Sequence, residues 1–132
     1  MRIFAGLILF GLFVAASPAS AEDVFDGTKP LLCASIEALD CDPGTACERG
    51  IPEIMGAPQF LRIDFVKNEI AGPLRTTKIR STEKDEAQIV LQGFEIGLGW
   101  TLAIDRFTGN MRVTFAGAAS AFIVFGVCTS QL

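Results

Sequence analysis

Apolar and polar side chains alternate along most of the chain from residue 59 onward. Leu98, Trp100, Leu102 and Ile104 alternate with small or polar residues, and the same period of two recurs in residues 59–66, 86–93 and 111–116. A period of two places successive side chains on opposite faces of a strand, so it is typical of half-buried antiparallel β-strands. No stretch after residue 21 shows a convincing helical stripe, which would need a period near 3.6.

The spacing of these segments predicts the fold class. Residues 31–39 also suit a strand, residues 48–58 are irregular or contain one short strand, and Gly109 suits a hairpin loop over residues 105–110. About seven to nine short strands in a chain of this length indicate an all-β fold, a small antiparallel β-barrel or sandwich. Barrel closure would also hide the sheet edges that otherwise promote aggregation.

Residues 113–132 carry no charge, which raises the alternative of a membrane helix. The apolar centre of this segment, Phe122–Val127, is rich in β-branched and aromatic residues, which favour a strand. Both of its faces are apolar, as in a central strand covered on both sides or a strand that closes a barrel.

The N-terminus has the pattern of a cleavable signal peptide. Arg2 is followed by an uncharged apolar run over residues 3–16, then Pro18 and the small residues Ala19-Ser20-Ala21. The apolar run is too short to cross about 30 Å of hydrocarbon as a helix. We therefore expect residues 1–21 to be removed, and residues 22–132 to form a single β domain in the periplasm or outside the cell, without stable membrane insertion.

Four cysteines, Cys33, Cys41, Cys47 and Cys128, follow the signal peptide, and an even number in an exported chain indicates two disulfides. We favour Cys41–Cys47, which flanks a turn containing Pro43 and Gly44, together with Cys33–Cys128, which joins an early strand to the last one. The rival pairing is Cys33–Cys41 with Cys47–Cys128. Peptide mapping without reduction distinguishes the two.

Composition limits the available chemistry. The chain has no histidine and no tyrosine, so Ser-His-Asp, Cys-His and phenolic mechanisms are excluded. The cysteine spacing is unlike that of a zinc site, and we expect no metal and no cofactor. The net charge of −4 argues against nucleic acid as a partner. Asp64, Glu95 and Asp105 remain as candidates for a carboxylate-dependent hydrolase, although a lone carboxylate at a strand edge is usually just solvated.

Four residues are candidates for binding. In residues 75–80, Arg75, Thr77 and Ile79 share one strand face, while Thr76, Lys78 and Arg80 share the other. Arg75, Lys78 and Arg80 are candidate binding residues, and Lys78 and Arg80 could meet an anionic partner. The alternative is a solvated or edge strand. Trp100 is either part of the core or the wall of a ligand site. Gly93, Gly97 and Gly99 resemble phosphate-binding glycines, but no helix follows them, so a β-hairpin with bulges is the better interpretation.

Several segments resemble a group of uncharacterised small exported bacterial β-rich proteins. They cover most of the chain after the signal peptide: Phe60–Phe65, Leu91–Gly93, Gly97–Asp105, Thr108–Met111 and Phe125–Cys128. The resemblance implies a fold and a compartment, but no activity. Size, export and disulfides are also similar to those of the periplasmic β-barrel inhibitors of lysozyme, a likeness of architecture alone.

Three hypotheses about function follow. The preferred one is a non-catalytic, exported binding or inhibitor module for an envelope protein, a glycan or a small apolar ligand. The second is a structural protein that maintains the envelope without a discrete ligand. The third is the carboxylate-dependent hydrolase. An aromatic-lined pocket would favour the first, a flat polar surface the second, and two inward carboxylates in a cleft the third.

Overall fold

The computed structural model describes residues 25–131 and contains one antiparallel sheet of ten strands within that range. The expected signal peptide and its cleavage site lie outside the described residues. The strands are β1 (Leu31–Cys41), β2 (Glu48–Gly50), β3 (Phe60–Asp64), β4 (Glu69–Ala71), β5 (Thr76–Lys78), β6 (Ser81–Lys84), β7 (Gln88–Glu95), β8 (Leu98–Asp105), β9 (Asn110–Ala116) and β10 (Ala121–Ser130).

The sheet curls into a half-barrel. The strand order is β5-β4-β3-β1-β10-β9-β8-β7-β6, with β2 paired to β1. The two outermost strands, β5 and β6, are consecutive in the chain and are joined only by Ile79 and Arg80. The Arg80 N–H donates to the Gln92 carbonyl at 2.8 Å, so the chain passes directly from one end of the sheet to the other.

The predicted fold class, all-β and antiparallel with two disulfides, is confirmed. The structure has ten strands in place of the seven to nine expected, because β2, β4 and β5 are only three residues long. The chain from residue 76 to residue 84 also pairs first with β4 and then with β7, which divides one bent stretch into two strands.

On one side β1 pairs with two strands, β2 and β3, which are separated by a loop that leaves the sheet. The last part of β1 pairs with β2 and the first part with β3, and residues 51–59 leave the sheet between them. Ser35 holds this excursion at its end, since its N–H donates to the Gln59 carbonyl and its hydroxyl to the Pro58 carbonyl, both at 2.8 Å. The register of β1 against β10 also shifts between Ser35 and Glu37. We call residues 51–59 the wall loop.

The core fills the inside of the curl. The period-two residues of β7, β8 and β9 point inward, where Ile89, Leu91, Leu102, Ile104 and Met111 are at most 1% exposed. β10 lies between β1 and β9, as expected for a central strand, with Val124 and Cys128 buried on its inner face. On its outer face Val127 is 39% exposed, so solvent reaches this side of the strand.

Residues 25–30 pack against one end of the curl. The Phe25 ring lies directly over Gly109, where a Cβ atom would collide with it. The Lys84 ammonium donates to the Asp26 carbonyl at 2.8 Å, and the Arg106 guanidinium donates to the Phe25 carbonyl at 3.2 Å. We call this the plugged end.

Both disulfides join the pairs that the sequence favours. The Sγ–Sγ distance is 2.06 Å for Cys33–Cys128 and for Cys41–Cys47. Cys33 and Cys128 face each other in the register of β1 and β10 and are buried in the core. Cys41 and Cys47 close the exposed turn after β1. Such bonds are consistent with an oxidising environment outside the cytoplasm.

Between residues 25 and 131, no helix has the length and apolarity needed to cross a membrane.

Candidate functional site

A cavity of about 730 Å³ lies inside the curl at the end opposite the plug. Its inner wall is formed by β8, β9 and β10, and the wall loop and the tip of the β4–β5 hairpin form the other sides. The lining side chains are mainly aliphatic or aromatic and include Met55, Ala57, Leu61, Ile70, Leu98, Trp100, Leu102, Val113, Phe115 and Phe122. The rings of Phe115 and Phe122 stack at 4.5 Å between centroids. The cavity is therefore an apolar, aromatic-walled space.

Trp100 belongs to both the core and the cavity wall. Its side chain is only 5% exposed, and its ring covers Gly93, the residue opposite it on β7. A Cβ atom at position 93 would collide with the indole and would lie 2.7 Å from the Lys78 carbonyl oxygen. Gly93 therefore permits the close approach of β5 and the tryptophan ring, as expected of a glycine within a strand and unlike a phosphate-binding loop.

The structure divides the predicted binding residues between two faces. Arg75 and Thr77 line the cavity, together with Trp100, whose Nε1–H donates to Thr77 Oγ1 at 3.4 Å. Lys78 and Arg80 lie on the outer face, as the alternation predicts. Lys78 forms an ion pair with Glu69 at 3.0 Å, and the Arg80 guanidinium lies 5.7 Å from the centroid of the Phe94 ring. The four candidates therefore do not form one site.

The rim of the cavity combines charges with exposed aliphatic side chains. Arg75, Glu53 and Glu95 are the charged residues that line the cavity, and Arg75 forms no ion pair with any residue in the range 25–131. Leu74 is 88% exposed and Ile96 is 67% exposed, and both also line the cavity. Because these residues reach both solvent and cavity, the space is open to solvent at this end.

Ile96 has a backbone conformation that its side chain disfavours. Ile96 and Gly97 form the two-residue loop between β7 and β8, with φ values of 46° and 73°. Two positive φ values define the hairpin turn that prefers Asn-Gly, and a β-branched residue there is an outlier. Unfavourable backbone conformations cluster at binding sites. An exposed isoleucine is thus kept at the rim where asparagine would fit the turn better.

Replacing Ile96 by asparagine is expected to stabilise the fold. The substitution relieves about 1 kcal/mol of backbone strain, which raises the melting temperature of a domain of this size by roughly 4–8 °C. Thermal unfolding followed by circular dichroism measures this change. Phe107→Asn serves as the control, because Phe107 is an exposed apolar residue of the β8–β9 loop without a positive φ. Equal melting temperatures for Ile96→Asn and the unmodified protein would contradict the assignment of strain.

The three carboxylates considered for hydrolysis do not meet. Asp64 and Asp105 each hold a turn at the plugged end. Asp64 accepts from the backbone N–H groups of Val66 and Lys67, and Asp105 accepts from those of Phe107 and Thr108. Asp105 pairs with Gln88 at one end of β7, and Glu95 lies at the other end of that strand. Seven residues of extended strand separate Gln88 from Glu95, which is roughly 23 Å. The predicted set is therefore not assembled in a cleft.

These turn carboxylates make stability depend on pH. The hydrogen bond from the Phe107 N–H, followed by that from Thr108, holds the pKa of Asp105 below its ordinary value, and the Lys67 N–H does the same for Asp64. A carboxyl group whose pKa is lowered on folding stabilises the fold above about pH 4, and this contribution is lost as the pH falls further.

Asp105→Asn is therefore expected to lower the melting temperature at pH 7 and to have little effect near pH 2. The asparagine oxygen still accepts from the turn, but it does not titrate. Melting curves between pH 2 and pH 7 test this, with Asp42→Asn as the control, since no described hydrogen bond reaches the Asp42 carboxylate. If the melting temperatures of Asp105→Asn and the unmodified protein differed by the same amount at pH 2 as at pH 7, the stabilising role of the ionised Asp105 carboxylate would be contradicted.

The wall loop was not identified as functional from the sequence. The sequence interpretation of residues 48–58 was an irregular segment or one short strand, and the structure shows β2 followed by a compact turn. In this turn the Met55 and Ala57 N–H groups donate to the Pro52 carbonyl at 3.1 and 2.9 Å. Pro52, Gly56 and Pro58 mark a turn in the sequence, but nothing there shows that Met55 and Ala57 face a cavity.

No protein-family model, no curated protein and no solved structure matches the chain.

Proposed function

We propose that the protein is a non-catalytic binding module that holds a small apolar ligand in its cavity, and that it works in the periplasm or outside the cell. The observation that carries this proposal is the apolar cavity of about 730 Å³ whose rim reaches solvent. Ligand sites in proteins typically measure about 300–1,000 Å³ and are lined mainly by hydrophobic and aromatic side chains with a few polar groups.

The inner face of the sheet supports this proposal. In a small barrel the interior is filled by side chains or holds one small ligand. Ile104 and Met111 fill the interior towards the plugged end, where both are fully buried. The next inward residues of the same strands, Leu102 and Val113, are also buried but border the base of the cavity. The same strands therefore build a packed core at one end and a cavity at the other.

The competing functions have weaker support. A structural protein without a ligand gains nothing from an open apolar cavity, which leaves wall atoms without packing partners. A glycan would need many hydrogen-bonding side chains, whereas the inner wall offers aliphatic and aromatic ones. A hydrolase would need paired carboxylates, and the predicted ones lie at opposite ends of the sheet.

Filling the cavity tests the proposal. Val113 points into the cavity and its neighbour Thr114 points to solvent, so Val113→Phe and Thr114→Phe add the same ring on opposite faces of β9. The probe is N-phenyl-1-naphthylamine, a fluorescent apolar molecule. We expect one probe to bind per protein, with at least tenfold weaker binding in Val113→Phe and unchanged binding in Thr114→Phe, when both variants retain cooperative unfolding. Equal affinity in the two variants would overturn the proposal.

A further inference from the structure

Apart from Thr77, the polar side chains among the described lining residues lie towards the mouth of the cavity. Along β8 the lining residues are Leu98, Trp100 and Leu102, which cover about 13 Å from rim to base. The one polar side chain that lies beside Trp100, Thr77, already accepts the indole N–H. Beneath Leu102 the cavity is closed by Ile104, which is fully buried. A ligand can therefore bury only an apolar part at the base, and any polar group it has must lie at the rim.

Arg75 is the rim group best placed to meet such a polar group. Among the described residues that line the cavity it is the only basic one, and it forms no ion pair within residues 25–131. The hairpin tip that carries it is fixed, because Pro73 restricts φ and the Gly72 N–H donates to the Arg75 carbonyl at 2.8 Å. Arg75 lies on the same face as Thr77, two residues closer to the rim, and Thr77 is the residue that accepts the Trp100 N–H.

The surroundings of Arg75 fit the end of a chain-like ligand. Leu74 precedes it and is 88% exposed, and Ile96 is held at the rim despite its unfavourable φ of 46°. A guanidinium group binds carboxylate or phosphate oxygens through two parallel hydrogen bonds and sheds water more readily than an ammonium group. An aliphatic rim with a guanidinium carried on a fixed backbone is suited to the junction between a hydrocarbon chain and an anionic head.

We propose that the ligand is a single-chain amphiphile with an anionic head, whose chain lies against Trp100 inside the cavity and whose head binds Arg75. This inference rests on the proposed function and specifies its ligand class. Glu53 and Glu95 also line the cavity and would attract a cationic head instead. Glu53 is exposed and Glu95 is half-buried. The anionic head is favoured because the guanidinium supplies a fork of two parallel hydrogen bonds, which a carboxylate cannot offer to a cationic head.

A series of ligands with one chain and different heads tests this inference. The probes are dodecanoate, dodecyl phosphate, dodecanol and dodecylammonium, each used below its aggregation concentration at pH 7.5 and about 0.15 M salt. Trp100 is the single tryptophan and the chain has no tyrosine, so its emission reports on the cavity directly. Calorimetry provides an independent affinity. We expect at least one of the two anions to bind tenfold or more tightly than dodecanol, and the stronger anion identifies the head.

Two charge-removing variants assign the effect to Arg75. Arg75→Gln is expected to abolish the tenfold preference for the anion while leaving dodecanol binding unchanged. Lys78→Gln removes the same charge from the outer face of the same hairpin and is expected to leave the whole series unchanged. Equal binding of dodecanol and both anions, tighter binding of dodecylammonium, or equal losses in the two variants would overturn the inference and leave the cavity function intact. Absence of binding by every dodecyl compound would overturn both.

Discussion

Replacing Cys33 and Cys128 together by alanine is expected to lower the free energy of unfolding by about 4–5 kcal/mol. The disulfide spans 95 residues of sequence, and the reduction in unfolded-state entropy grows with the length of the closed loop. It also joins β1 to β10, the pair at the centre of the strand order, from within the core. Urea unfolding of the double variant and the unmodified protein measures the difference.

The second disulfide supplies the control for this prediction. Cys41 and Cys47 are only six positions apart in sequence and close an exposed turn. The same entropy relation gives about 2 kcal/mol for such a short loop. The Cys41→Ala/Cys47→Ala variant is therefore expected to remain folded under conditions where the Cys33→Ala/Cys128→Ala variant has largely unfolded. An equal or larger loss on removal of the short-range bond would contradict the role assigned to Cys33–Cys128.

Trp100→Ala is expected to lower the free energy of unfolding by roughly 3–5 kcal/mol. The ring is 5% exposed, covers Gly93 and donates to Thr77, so its removal opens the contact between β5, β7 and β8. The same substitution is expected to weaken ligand binding, because the ring forms part of the cavity wall. Urea unfolding followed by far-ultraviolet circular dichroism measures the first effect, and calorimetry with dodecanoate measures the second.

Phe94→Ala is the matched control for Trp100→Ala. Phe94 is an aromatic residue on β7 that is 49% exposed and contacts Arg80 on the outer face. Its removal is expected to cost less than about 1 kcal/mol and to leave ligand binding unchanged. If Trp100→Ala kept the stability of the unmodified protein and lost only the ligand, the ring would belong to the site and not to the core.

Local patterns were sufficient to predict the strands and their faces. In β9 the inward residues Met111 and Val113 are buried and the outward Arg112 and Thr114 are exposed, as the alternation predicts. The division of residues 75–80 into two faces also agrees with the structure. These features were predictable because the pleat of a strand fixes side-chain direction within a few residues, independently of the rest of the fold.

The cavity was not predictable in the same way. Alternation identifies Val113 and Met111 equally as inward residues, and both are buried, yet of the two it is Val113 that borders the cavity. The difference arises from segments distant in sequence: residues 25–30 pack against one end of the curl, and the wall loop stands beside the other. Alternation separates Arg75 from Lys78 and Arg80, but the position of Arg75 at a cavity depends on how the sheet curls.

The central claim, that the cavity holds an apolar chain against Trp100, is tested most directly by fluorescence quenching with 12-bromododecanoate. The bromine is at the end of the chain far from the carboxylate, and a bromine atom quenches indole emission only at short range. The account predicts saturable, near-complete quenching of Trp100 that unlabelled dodecanoate reverses by competition. Binding of 12-bromododecanoate in calorimetry without quenching of Trp100 would place the chain outside the cavity and would contradict the account.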